Sequence, residues 1–114
     1  MDKAALVRDM EMALRVALAA VRPGAYFSAK SMFGGAGFFA DGQMFAAWFG
    51  QELALKLPPD IAQELIAIGG TSRSDMGKYV ELPAGLIDQP EQLEPWVAHS
   101  VDFALSLPSK KRKK

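Results

Sequence analysis

The sequence predicts an α+β domain: an antiparallel β-meander of about four strands, packed with N- and C-terminal helices and one short helix. Three observations carry that prediction. The stretch from Asp2 to Val21 contains neither Gly nor Pro and repeats apolar residues at helical spacing. The dipeptide Asp41-Gly42 sits between two apolar runs, the strongest short-range signal of a hairpin. After Pro90, a second amphipathic run closes the apolar part of the chain.

The opening helix is expected from Asp2, as N-cap, to Val21, with Pro23-Gly24 ending it. Its core stripe is Leu6, Met10, Ala13, Leu14, Ala17, Leu18 and Val21. A type I′ turn at Asp41-Gly42 pairs Ala40 with Gln43, Phe39 with Met44 and Phe38 with Phe45. Continued outward without interruption, that register sets Gly35 against Trp48 and Gly34 against Phe49. A second tight turn at Gly50-Gln51 places Leu53 beside Trp48 and Leu55 beside Ala46. A fourth strand fits Lys78 to Leu82. A short helix fits Pro59 to Ile68, with Pro59 in its first turn and Gly69-Gly70 as its stop. The closing helix is expected to start at Pro90, capped by Asp88 with Glu91 at capping-box spacing. Its buried side is Leu93, Trp96, Val97, Val101, Ala104 and Leu105.

Strict alternation in this meander sorts the side chains into two faces. Phe39, Met44, Ala46, Trp48, Leu53, Leu55 and Leu57 form the bed for the helices. Phe38, Phe45 and Phe49, with Ala36 and Ala47, form the other face. That second face is too apolar to be left to water: either the short helix of the chain itself covers it, or it is the candidate partner surface, including the contact of a possible homodimer.

The glycines of "MFGGAGFF" invite a phosphate-binding reading. A dinucleotide fingerprint, however, sets its glycines between a strand and a helix. Gly34, Gly35 and Gly37 instead fall within a strand leading to a hairpin, where they leave room for Trp48 and Phe49.

Composition narrows the remaining classes. A chain of 114 residues corresponds to one domain, read as 1–109 followed by a basic tail at 110–114. Such a length buries about 65% of the surface exposed by its unfolded chain, enough for a core without staples. There is no Cys, hence no disulfide and no thiolate chemistry. No basic-plus-apolar leader or bilayer-length apolar run is present, so a cytoplasmic location without membrane contact is expected. The net charge of zero divides unevenly. Lys110, Lys111, Arg112, Lys113 and Lys114 are all basic, whereas the body sets eight basic residues against thirteen acidic ones. Weak or no direct DNA binding is therefore expected, with the tail as the possible nucleic-acid contact.

Catalytic chemistry finds no support. His99 falls off the apolar stripe of the closing helix. Ser72 and Ser74 lie in a loop without a triad, and the carboxylates at Asp60, Glu64, Asp88, Glu91 and Glu94 suit helix starts. Arg73 and Lys78 suit a solvated loop better than an anion site. No nucleophile, base and orienter come together, and no cofactor or metal is expected.

The segment "MFGGAGFFADGQMFAAWFGQELALKL", residues 32–57, resembles the signature of the N-terminal domain of the TfoX/Sxy competence regulators. The resemblance continues through "KYVELPAGLIDQPEQLEPWV", residues 78–97. Ala36 stands where the family commonly has an aromatic residue, and Tyr79-Val80 where paired aromatics are frequent. The resemblance implies an α+β domain and a non-catalytic, regulatory role through protein contacts in transcription, towards DNA-uptake competence. Full-length members look like coactivators working with the cyclic-AMP receptor protein, and they carry a second domain of helix-hairpin-helix character. The resemblance thus implies a protein partner, such as the transcription machinery or that receptor protein. A small-molecule-binding module, with a pocket between sheet and helices near Trp48 and Trp96, is the alternative.

Overall fold

The computed structural model describes residues 3–32, 34–50, 52–72 and 78–107. Asp2, expected as the first cap, and the basic tail at 110–114 lie outside the described residues.

The first helix, α1 (Lys3–Val21), presents the expected stripe: Met10, Leu14, Ala17 and Leu18 are buried, and Leu6, Ala13 and Val21 pack partly against them. Six strands follow, interrupted by helices: β1 (Phe27–Met32), β2 (Gly35–Ala40), β3 (Gln43–Trp48), β4 (Ala54–Lys56), β5 (Thr71–Ser72) and β6 (Tyr79–Glu81). The short helix α2 (Pro59–Ala67) precedes β5, with Pro59 in its first turn. The amides of Gly69 and Gly70 close it onto the carbonyls of Ile66 and Leu65. A single 3-10 turn (Leu86–Asp88) leads to α3 (Pro90–Ser106).

One antiparallel sheet runs β1-β2-β3-β4-β6-β5. All three helices join its core from one side. Leu14 and Leu18 of α1, Leu65 of α2, and Leu93, Val97 and Val101 of α3 share one apolar cluster with Phe38, Phe45, Trp48 and Leu55 of the sheet. α1 packs on α3, and α3 packs on β3 and β4. Each fully buried large side chain there contributes about 1.5–3 kcal/mol by leaving water. Leu14, Leu55, Leu65 and Val97 are each wholly inaccessible, so this single layer of contacts accounts for the helices' attachment.

The hairpin turn is the one expected: Asp41 (φ 50°) and Gly42 (φ 85°) both adopt the left-handed conformation that a type I′ turn requires. Ala40 pairs with Gln43 and Phe39 with Met44, as the spacing predicts. The next pair differs. Phe38 pairs with Ala46 and not with Phe45, because β3 carries an extra residue at this point. Such a bulge slips the alternation by one, so Phe45 and Ala46 both turn toward the helices, wholly buried. Beyond it, Gly37 pairs with Ala47 and Ala36 with Trp48, one place away from the uninterrupted register. The pairing of Ala46 with Leu55 across β3 and β4 is as expected.

Two further features concern the ends of the sheet and the start of α3. The edge strands β1 and β5 exceed the expected four, and β1 escapes a pattern search because only Phe27 is fully buried in it. Asp88 does not cap α3. It belongs to the 3-10 turn, and Gln89 occupies the N-cap position without a side-chain bond to the helix.

Candidate functional site

The bulge determines which face of the sheet is left open. Ala36, Phe38, Phe45, Ala46 and Trp48 lie under the helices. On the reverse face a separate cluster forms from the buried Ala47, Ala54 and Tyr79, with Met44 and Phe49 packed partly against it, and among the described residues no helical one takes part. The pairings extend this face. Gly37 lies opposite Ala47, Ala47 opposite Ala54, and Ala54 opposite Glu81. Phe39 lies opposite Met44 on the same face and is half-buried.

The surface drawn from Phe38, Phe45 and Phe49 is therefore corrected. Phe38 and Phe45 have no exposure at all, and Phe38 lies 6.3 Å from the ring of Phe27 in a stacked arrangement inside the core. Only Phe49 lies on the open face. Phe39, Met44 and Tyr79 take the places that strict alternation assigns to other residues. The signal for this was the run Gly35, Gly37, Phe39 at period two, which could be read correctly only with the bulge located.

Two glycines shape this face. A side chain on Gly35 would run into the Trp48 carbonyl and come within 2.6 Å of Phe49 Cδ1. A side chain on Gly37 would meet Met44 Sδ at 2.7 Å and Met32 Cε at 2.9 Å. The glycines thus let Met32, Met44 and Phe49 lie flat on the backbone of β2. The face becomes a shallow apolar surface of flexible thioethers and aromatic edges, a composition suited to adaptable protein contacts.

Tyr79 anchors one side of it. Its hydroxyl makes a long hydrogen bond, 3.5 Å, to the carbonyl oxygen of Met44, and Lys56 Nζ sits 5.6 Å from its ring centroid. Burial raises the phenol's pKa well above its ordinary value, so it stays a neutral donor. The aromatic part of the site is thus neutral, with Lys56 beside the Tyr79 ring and the buried Glu81 two residues further along the same strand.

The other expected sites are not assembled. Trp48 lines a cleft of only about 60 Å³ with Leu6, Met10, Glu52, Leu53, Leu82, Pro83 and Ile87. Ligand pockets run to about 300–1,000 Å³, so this cleft does not form the proposed pocket. Trp96 lies apart on α3, 6.4 Å from the ring of the exposed His99. A larger apolar groove of about 210 Å³ runs between α1 and α3, lined by Met12, Val16, Ile87, Pro90 and Leu93 among others. Arg73 and Ser74 lie outside the described residues. Among the described residues no three His, Asp or Glu side chains gather in a way that could hold a metal ion, and no helix is long and apolar enough to cross a membrane.

The comparison with curated proteins gives no match. A family model described as the TfoX N-terminal domain matches residues 18–104, from the last turn of α1 through the whole sheet and most of α3. With that match spanning most of its length, the chain belongs to the TfoX N-terminal domain family.

Proposed function

We propose that this domain is a non-catalytic regulatory module that acts by protein contact, using the open sheet face around Phe39, Met44, Phe49 and Tyr79. One observation supports the reading above others: the sheet face turned away from the described helices carries its own small apolar cluster. Antiparallel sheets commonly leave one face to solvent, but that face is then polar. Here Ala47, Ala54, Met44, Phe49 and Phe39 replace the polar residues. Family membership supports a role in transcriptional regulation like that of the competence regulators, with the cyclic-AMP receptor protein as the first partner to test.

The test is binding of the purified chain to the cyclic-AMP receptor protein by surface plasmon resonance, with and without Phe39→Glu. Saturable binding that Phe39→Glu weakens at least tenfold, with the fold unchanged, supports the proposal. Binding insensitive to Phe39→Glu moves the contact off this face. No binding at 100 µM removes that partner.

A further inference from the structure

β1 forms one edge of the sheet, and its bonding phase can be read from its start. The Asp41 amide donates to the Tyr26 carbonyl at 2.8 Å, which makes Tyr26 and Asp41 a hydrogen-bonded pair. Antiparallel ladders alternate, so Ser28, Lys30 and Met32 bond to Phe39, Gly37 and Gly35. The amides and carbonyls of Phe27, Ala29 and Ser31 then point away from the sheet. Ala29, Lys30 and Ser31 are exposed, and the six-residue strand contains no Pro. Within the strand a single charge, Lys30, stands against pairing with another chain.

The helix side of this edge is a wide trough of about 520 Å³ between α1 and β1, lined chiefly by Ala4, Val7, Arg8, Glu11 and Ser31, with Lys3 at its end. Its floor is small: Ser31 and Gly35 line it on the sheet side. Its charge is one-sided. Arg15 binds Glu11 at 3.0 Å and lies over the Phe27 ring at 4.7 Å. Among the described residues no ion pair takes up Lys3, Arg8 or Lys30. Lys30 lies on the reverse face, so cations stand on both sides of the strand edge.

We infer that β1 and the flank of α1 form a docking groove for an extended acidic segment of a partner protein, which adds to the sheet as a seventh strand. Charge selects this occupant. A second copy would bring its own Arg8 and Lys30 to the same edge, and the basic tail of this chain would be repelled. An added strand projects alternate side chains to its two faces. One set enters the trough beside Lys3 and Arg8, and the other passes Lys30. At about 3.3 Å per residue, the edge holds five or six residues of the segment. The helix side of this groove is separate from the open sheet face, and its Lys30 side adjoins that face at Phe39.

The experiment uses a fluorescein-labelled, capped peptide, Glu-Val-Glu-Thr-Glu-Val, and its counterpart with Lys for Glu. Fluorescence anisotropy measures binding to the full chain, and amide hydrogen exchange locates it. The expected result is saturable binding of the acidic peptide alone, with slowed exchange at Phe27, Ala29 and Ser31. Arg8→Glu weakens binding at least tenfold. Ala29→Pro removes an outward amide without taking a bond from β2, and abolishes binding. If that variant fails to fold, the exchange pattern of the unsubstituted chain still decides. Equal binding of both peptides, binding without protection of those three amides, or no binding at millimolar peptide would overturn the inference. So would self-association through this edge, seen as a sedimenting dimer that Ala29→Pro dissociates.

Discussion

The hydroxyl of Ser100 donates to the carbonyl oxygen of Phe45 at 2.6 Å, and both residues are wholly buried. Phe45 is the extra residue of the β3 bulge, where the ladder is interrupted and a carbonyl needs another partner. A helix side chain therefore completes the hydrogen bonding of the sheet at the point where its faces are reassigned. Ser100→Ala leaves that carbonyl buried and unsatisfied, at a cost of about 1–3 kcal/mol. Urea denaturation should show the loss as a lower midpoint with an unchanged slope. No change would mean that water replaces the hydroxyl.

Phe45→Glu and Phe39→Glu should behave oppositely. The first places a carboxylate in a site with no exposure, a penalty that rivals the whole stability of a domain this size. The second places the same group on the open face, where it reaches water. Circular dichroism and calorimetry should find Phe45→Glu unfolded and Phe39→Glu folded. A folded Phe45→Glu would refute the observed register.

Gly35→Ala should destabilise more than Gly37→Ala. The obstacle at Gly35 is the Trp48 backbone, which cannot move without breaking the sheet, whereas at Gly37 it is the ends of two methionines. Overpacking typically costs about 1–3 kcal/mol, and Gly35→Ala should sit at or above the top of that range. Gly37→Ala should stay below it. The order of the two denaturation midpoints is the check.

Alkaline pH should destabilise the domain through Tyr79. Its phenol is held protonated by burial, with a folded pKa above the unfolded one. The folded state therefore keeps a proton that the unfolded chain releases above about pH 10. Stability from this group is present below that pH and falls above it, by up to about 1.4 kcal/mol per pH unit. Tyr79→Phe should flatten that limb of the stability profile and change little at pH 7. Parallel profiles for the two proteins would contradict the assigned burial effect.

Much of the architecture was legible because local chemistry specified it. The Asp41-Gly42 turn, the stripe of α1 and the Pro59 start of α2 depend on neighbours in the chain. The bulge at Phe45 was not legible. Its carbonyl partner, Ser100, lies 55 residues away and carries no local mark. That single slip exchanged Phe38 and Phe45 for Phe39 and Met44 on the open face, so its apolar character and its members Ala47 and Phe49 were legible but Phe39 and Met44 were not. β1 was missed for a different reason: an edge strand half in water has no alternation to show, with Ser28, Ala29, Lys30 and Ser31 all small or polar.

The packing of α1 against α3 also governs when the domain becomes complete during synthesis. The ribosome delivers α1 and every strand before it delivers α3. Until Ser100 emerges, the Phe45 carbonyl lacks its hydroxyl partner, and the apolar side of β3 and β4 lacks its cover. The nascent sheet must then wait with the part of its helix side over β3 and β4 uncovered, which is the interval in which a chaperone would engage it.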